Sequence, residues 1–141
     1  MSADVILIDD EAHLRTACTQ ALELAGISVV AFESAELALG DINSNHNGII
    51  VSDVKMSGMG GLELLAETLE RDPQLPVILI TGHGDISIAV KAIQDGAYDF
   101  LEKPFASKRL VEISRRALEL RRVVLENRAL RDGLLSDDRP L

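Results

Sequence analysis

One cysteine, Cys18, stands in 141 residues, which excludes an internal disulfide framework and suits a reducing compartment. No apolar run approaches the ~20 residues a membrane span needs, and the start Met1-Ser2-Ala3-Asp4 lacks the basic residues of a signal peptide. The expected location is the cytoplasm. Glycine-rich phosphate cradles are missing too: neither a Walker loop nor GxGxxG follows the first predicted strand, so nucleotide binding has no seat. Positive charge is short overall, with 14 Lys and Arg against 23 Asp and Glu, and the net −9 argues against nucleic-acid binding by the body of the domain. Residues 108–131 are the exception. They hold Lys108, Arg109, Arg115, Arg116, Arg121, Arg122, Arg128 and Arg131 against only Glu112, Glu119 and Glu126. His13, His46 and His83 show no metal-ligand spacing and are expected at the surface, with His83 bordering the site described below.

What is present is enough for one domain with a sizeable core. Gly48-Ile49-Ile50-Val51-Ser52-Asp53 reads as a short strand buried on both faces, as in parallel sheets, and it stops at a carboxylate. Val5-Ile6-Leu7-Ile8 is a second such strand, ending at Asp9-Asp10-Glu11. Ile27–Ala31, Pro76–Thr81 and Tyr98–Leu101 complete five. Between them lie apolar residues at helical spacing: Leu14 to Ala25, closed by Gly26; a helix capped by Ser34 and carrying Leu37, Ala38 and Ile42; Leu62 to Leu69; a helix capped by Asp85 and closed by Gly96; and a long final helix capped by Ser107. Cys18 falls on an apolar face and is expected in the core. Five strands alternating with five helices predict a doubly wound α/β domain.

Asp9, Asp10, Asp53, Thr81 and Lys103 all fall at or just past the C-terminal ends of predicted strands, where ligands bind in open α/β sheets. Three carboxylates in one cleft repel unless a cation joins them. Oxygen-only ligands suit Mg²⁺, while a lysine and a hydroxyl suit phosphoryl oxygens. The simplest chemistry is phosphoryl transfer onto Asp53, with Asp9 and Asp10 holding the metal.

The motifs Leu7-Ile8-Asp9-Asp10-Glu11, Val51-Ser52-Asp53-Val54-Lys55-Met56, Ile80-Thr81-Gly82 and Lys103-Pro104-Phe105 together resemble the response-regulator receiver family over about residues 4–120. The resemblance implies a flavodoxin-like sheet in strand order 2-1-3-4-5. It makes Asp53 the phosphoacceptor for a sensor histidine kinase, and it implies a regulatory domain whose only catalysis is its own phosphorylation and dephosphorylation. It further makes Asp10 a direct Mg²⁺ ligand, Asp9 a ligand through water, and the Lys55 carbonyl a third donor. Thr81 and Lys103 would contact the phosphoryl group, Phe100 would be the aromatic switch, and Lys103-Pro104 would be cis. Gly82–Ile86 and Ala92–Phe100 resemble receivers of the NtrC type that control σ54-dependent activators, C4-dicarboxylate transport regulators in particular, which implies AAA+ ATPase and DNA-binding output domains in a longer chain. The family's loop Met-Pro-Gly-Met-Asp-Gly is here Met56-Ser57-Gly58-Met59-Gly60-Gly61, a departure expected to loosen the backbone. A haloacid-dehalogenase-like phosphatase would need a second aspartate where Lys55 stands. A receiver that is never phosphorylated would usually have lost one of the five residues.

In the last helix, Ile113, Leu120, Asn127 and Leu134 occupy heptad position a, and Val123 and Leu130 position d, with Arg116 spoiling the d position before them. The expected organisation is a receiver at 1–120, a linker helix forming a dimeric coiled coil at 121–135, and a tail at 136–141. Glu126 and Arg131 are placed to pair across a parallel dimer. The competing reading is a charged, solvated helix.

Overall fold

The computed structural model describes residues 3–137. Strands β1 (Val5–Ile8), β2 (Val29–Phe32), β3 (Ile49–Asp53), β4 (Val77–Thr81) and β5 (Asp99–Glu102) alternate with helices α1 (Ala12–Leu24), α2 (Ala35–Ala38), α3 (Gly61–Arg71), α4 (Ile86–Gln94) and α5 (Ser107–Asp137). All four strand pairings are parallel, in the order β2-β1-β3-β4-β5. This is the flavodoxin-like topology expected. β1, β3 and β4 are buried at every residue, because helices cover both faces of a parallel sheet. Alternate residues along each strand accordingly feed two cores. Val5, Leu7, Ile49, Val51, Ile78 and Ile80 pack with α1 and α5; Ile6, Ile8, Ile50, Val77 and Leu79 pack with α2, α3 and α4. Cys18 is buried in the first of these.

Ser34 caps α2 by accepting from the Leu37 N–H at 3.2 Å. Gly26 and Gly96 take the positive φ values, 82° and 107°, that end α1 and α4. Several expectations are corrected. α2 does not reach Ile42: it tightens into a 3-10 turn at Leu39–Asp41, across Gly40, and Ile42 turns extended and buried. Asp85 occupies the N-cap position of α4 but makes no cap bond, and its carboxylate lies 3.5 Å from Lys55 Nζ instead. Ser107 is the first residue of α5, and the Ala106 carbonyl accepts from Arg109 and Leu110. β2 begins two residues later than expected and β5 one residue later.

His46 is also corrected. It lies buried, at 3 % exposure, because α5 continues past the sheet and Arg121 covers it. Arg121 is wholly buried. Its guanidinium meets Asp72 Oδ2 at 2.9 Å and donates to the carbonyls of His46 (3.0 Å), Ser44 (3.2 Å) and Gln74 (3.4 Å). One heptad on, Arg128 forks onto the same carboxylate at 2.7 and 2.9 Å and onto Gln74 Oε1 at 2.8 Å. A fork-shaped cation on a carboxylate is a strong, directional contact. It holds the Asp72 carboxyl down at about 2: burial alone raises it, and the bonds from Arg128, Gln74 and Arg121 outweigh that.

Leu120, Val123 and Leu130 point outward at 44, 39 and 65 % exposure, forming an uncovered stripe. Ile113, by contrast, belongs to the domain core. Glu126 pairs with Arg122 of its own helix. The Leu134 side chain and tail residues 138–141 lie outside the described residues, while 136 and 137 are helical. Among the described residues, no helix is long and apolar enough to cross a membrane.

Candidate functional site

The site is built by strand endings. β1, β3, β4 and β5 run parallel with Ile8 beside Ser52, Asp53 beside Ile80, and Thr81 beside Glu102. The residues that follow each last apolar side chain therefore emerge on one edge. β3 delivers Asp53, 5 % exposed. Its direction is fixed from below by the start of α3: a Cβ on Gly61 would sit 2.5 Å from the Asp53 carbonyl oxygen and 2.8 Å from Val54 Cα, so only glycine lets the helix approach. The Gly61 N–H closes the turn on the Val54 carbonyl at 2.9 Å.

Asp53 Oδ2 accepts from Lys103 Nζ at 2.6 Å, and Oδ1 accepts from the Lys55 N–H at 3.0 Å. Burial pushes the Lys103 ammonium down, but the bond to Asp53 and that group's charge outweigh it, so the net shift is upward and the lysine is charged. The Lys103-Pro104 peptide is cis. Asp9 is buried at 1 % exposure. Its Oδ1 accepts from the Glu11 N–H at 2.8 Å, its backbone carbonyl accepts from Arg15 at 2.7 Å, and its Oδ2 is buried with no hydrogen-bond partner. Burial pushes the Asp9 carboxyl up, partly offset by the Glu11 amide and reinforced by the charge of Asp53.

Asp10 is exposed, and its Oδ2 accepts from the Ser57 N–H at 3.1 Å. Among the described residues no three Asp, Glu, His or Cys side chains are gathered closely enough to hold a metal. Thr81 is buried, its hydroxyl donating to the Leu101 carbonyl at 3.4 Å. The loop after it is held to β5 by the Gly84 N–H, which donates to Glu102 Oε2 at 3.0 Å. Phe100 is half-buried and lines a groove of about 420 Å³ with Ile86, Ala89, Val90, Ile93 and Gln94. His83 is an exposed residue of the Thr81–Gly84 loop.

The structure thus brings Asp9, Asp53 and Lys103 into one electrostatic cluster, sets Asp10 and Thr81 at its rim, and leaves Phe100 on the α4–β5 face. Ser57 and Arg15 are additional contacts. Neither had a signal in the sequence, because one donates through its backbone and the other bonds a backbone oxygen.

A parallel 2-1-3-4-5 sheet with acids and a lysine at its strand ends defines a class before any comparison. Residues 5–115 match the response regulator receiver domain family, and the chain belongs to it: this is the receiver domain of a two-component response regulator. Among individual proteins, it is 58% identical over 127 residues to the C4-dicarboxylate transport transcriptional regulatory protein DctD of Rhizobium meliloti (strain 1021), covering 90% of this chain and 28% of that one. It is 54% identical over 130 residues to DctD of Pseudomonas aeruginosa, covering 92% and 28%. NtrX from Brucella abortus, solved with ATP, superposes with a TM-score of 0.81 at 39% identity, over 92% of this chain and 30% of that one. The chain spans less than a third of the length of its DctD relatives.

Proposed function

We propose that Asp53 takes a phosphoryl group from a sensor histidine kinase and that the switched surface drives a transcription-activating output. The observation that carries this reading is Asp53 itself: a buried carboxylate at a strand end, with Lys103 Nζ 2.6 Å from one oxygen. Transfer forms a P–O bond at the Asp53 carboxylate and breaks the P–N bond of the donor histidine, whose ring nitrogen keeps the electron pair. Lys103 then exchanges its carboxylate partner for a phosphoryl oxygen, and the Thr81 hydroxyl turns from the Leu101 carbonyl to another. The Thr81–Gly84 loop follows inward, and Phe100 rotates into the space behind it, repacking the α4–β5 face.

The donor chemistry fits Mg²⁺. Asp9 Oδ2 is a buried carboxylate oxygen without a partner, and Mg²⁺ ordinarily takes only one or two carboxylates, with water and phosphate oxygens completing its shell. Asp10 would ligate directly and Asp9 through water, with Asp53 and the Lys55 carbonyl completing the protein's share. Bound there, the ion neutralises charge on the transferring phosphoryl group.

The DctD relatives support a transcription-regulating output for C4-dicarboxylate transport; the resemblance of Gly82–Ile86 and Ala92–Phe100 to NtrC-type receivers adds σ54 dependence, through AAA+ and DNA-binding domains of a longer cytoplasmic chain. The stripe Leu120, Val123, Asn127 and Leu130 supports a homodimer through α5, with receivers at 1–120 and a linker coiled coil beyond. Ending the chain near Leu118 would also strip Asp72 of both arginines, so Leu130→Asp in the full chain is the cleaner test of the seam by light scattering.

Phosphorylation is tested with acetyl phosphate and Mg²⁺, read by intact mass. One phosphoryl group should add to the chain and none to Asp53→Asn. Equal modification of that variant would refute the assignment.

A further inference from the structure

The β3–α3 loop is held by two carboxylates that reach it from other elements. Asp10 Oδ2 accepts from the Ser57 N–H at 3.1 Å, and Glu36, from α2, accepts from the Met59 N–H at 3.2 Å. Gly58 lies between them at φ 76°. Alternate amides of one loop are thus aimed at alternate acids, and the bend that aims them is one only glycine adopts freely. The consequence falls on Asp10. Unlike Asp9 and Asp53 it is exposed and able to swing, yet its carboxylate is engaged by the loop rather than gathered with the other two, and no three such side chains converge among the described residues.

We propose that the Ser57 amide is a latch on Asp10: it holds the carboxylate off the Asp9–Asp53 pair, and a divalent cation must release it in order to bind. This rests on the metal reading above. An N–H bonded to a carboxylate is a charge-assisted contact, and its loss on release is set against the cation's own gain. The metal affinity of the resting domain is lowered by that amount, and cation binding is coupled to opening of the loop. Position 57 allows the amide to be removed without touching a ligating side chain, because proline has no N–H.

The test uses the full chain with Ser57→Pro and Ser57→Ala, titrated with MgCl₂ and followed by amide shifts in NMR. The proline variant should bind Mg²⁺ about three- to tenfold tighter. The alanine variant keeps the N–H and should match the unmodified chain. In the unmodified chain, the Ser57 amide should exchange slowly with solvent without Mg²⁺ and faster at saturation. Unchanged affinity in the proline variant overturns the latch. Weaker binding there would make the amide a support for the ligand, and overturns it equally. An effect shared by the alanine variant would assign the contact to the side chain, against the proposal. Should the proline variant fail to fold, the exchange measurement decides alone: protection that persists at saturating Mg²⁺ refutes release. If the unmodified chain shows no saturable Mg²⁺ response around Asp9, Asp10 and Asp53, the metal reading itself has failed, a result distinguishable from failure of the latch.

Discussion

Replacing Asp72 with asparagine removes the one anion that Arg121 and Arg128 share. Its worth follows from two routes. The carboxyl is held at about 2 against an ordinary 3.8, and each unit is worth about 1.4 kcal/mol, so proton linkage assigns it roughly 2–3 kcal/mol. Leaving one partner of a buried pair alone costs roughly 3–5 kcal/mol, softened here by the three carbonyls that also accept from Arg121. Asp72→Asn should therefore cost about 3 kcal/mol, a large share of the ~5–15 kcal/mol that holds a small domain together. Urea unfolding at pH 7 measures it. Because the folded-state value is depressed, the carboxylate's contribution is complete above about pH 5 and is lost as pH falls through about 2; the variant should lose less stability than the unmodified chain across that window. Amide exchange over residues 118–133 should also accelerate. A cost under ~1 kcal/mol with unchanged exchange would refute the view that this network seats the helix.

Other consequences follow from single residues. Burial holds the His46 imidazole below its ordinary range, so the unfolded chain takes up a proton that the fold refuses; the urea midpoint should fall as pH drops below about 6.5, and His46→Gln should flatten that limb. Burial pushes the Cys18 thiol up to about 11, with the Asp9 charge adding to it; at pH 8 it should resist iodoacetamide in the folded protein and react once urea unfolds the chain. Gly60 is the N-cap of α3, with φ −84°, ψ 173° and no side-chain cap. Gly60→Asp should stabilise by a few tenths of a kcal/mol, offset if its Cβ, 3.1 Å from the Val54 carbonyl, displaces the turn; the thermal midpoint reads the sign.

The five strands and the five strand-end residues are legible because a buried strand announces itself in consecutive letters and ends at the first polar one; the strand order is legible only through the receiver resemblance. The seat of α5 is not. Asp72-Pro73 reads as a turn and Arg121 as part of a charged linker, and nothing local says that segments 49 residues apart meet. The burial of His46 is hidden for the same reason: Asn43-Ser44-Asn45-His46-Asn47 is polar, and its burial is conferred by an arginine 75 residues downstream. The Ser57 contact was invisible in another way, since a backbone N–H belongs to every residue type but proline.

Arg121 and Arg128 sit seven residues apart, the same interval that repeats the Leu120–Asn127 and Val123–Leu130 stripe. An α-helix turns about 100° per residue, so a single-residue insertion or deletion between positions 121 and 128 would swing Arg128 off Asp72 and shear the stripe at the same point. Added heptads after Asp132 would disturb neither. Linker length in this chain is therefore fixed between Arg121 and Arg128 and variable only in sevens beyond Asp132, and a graft of another effector onto this receiver should be spliced beyond Asp132 in whole heptads.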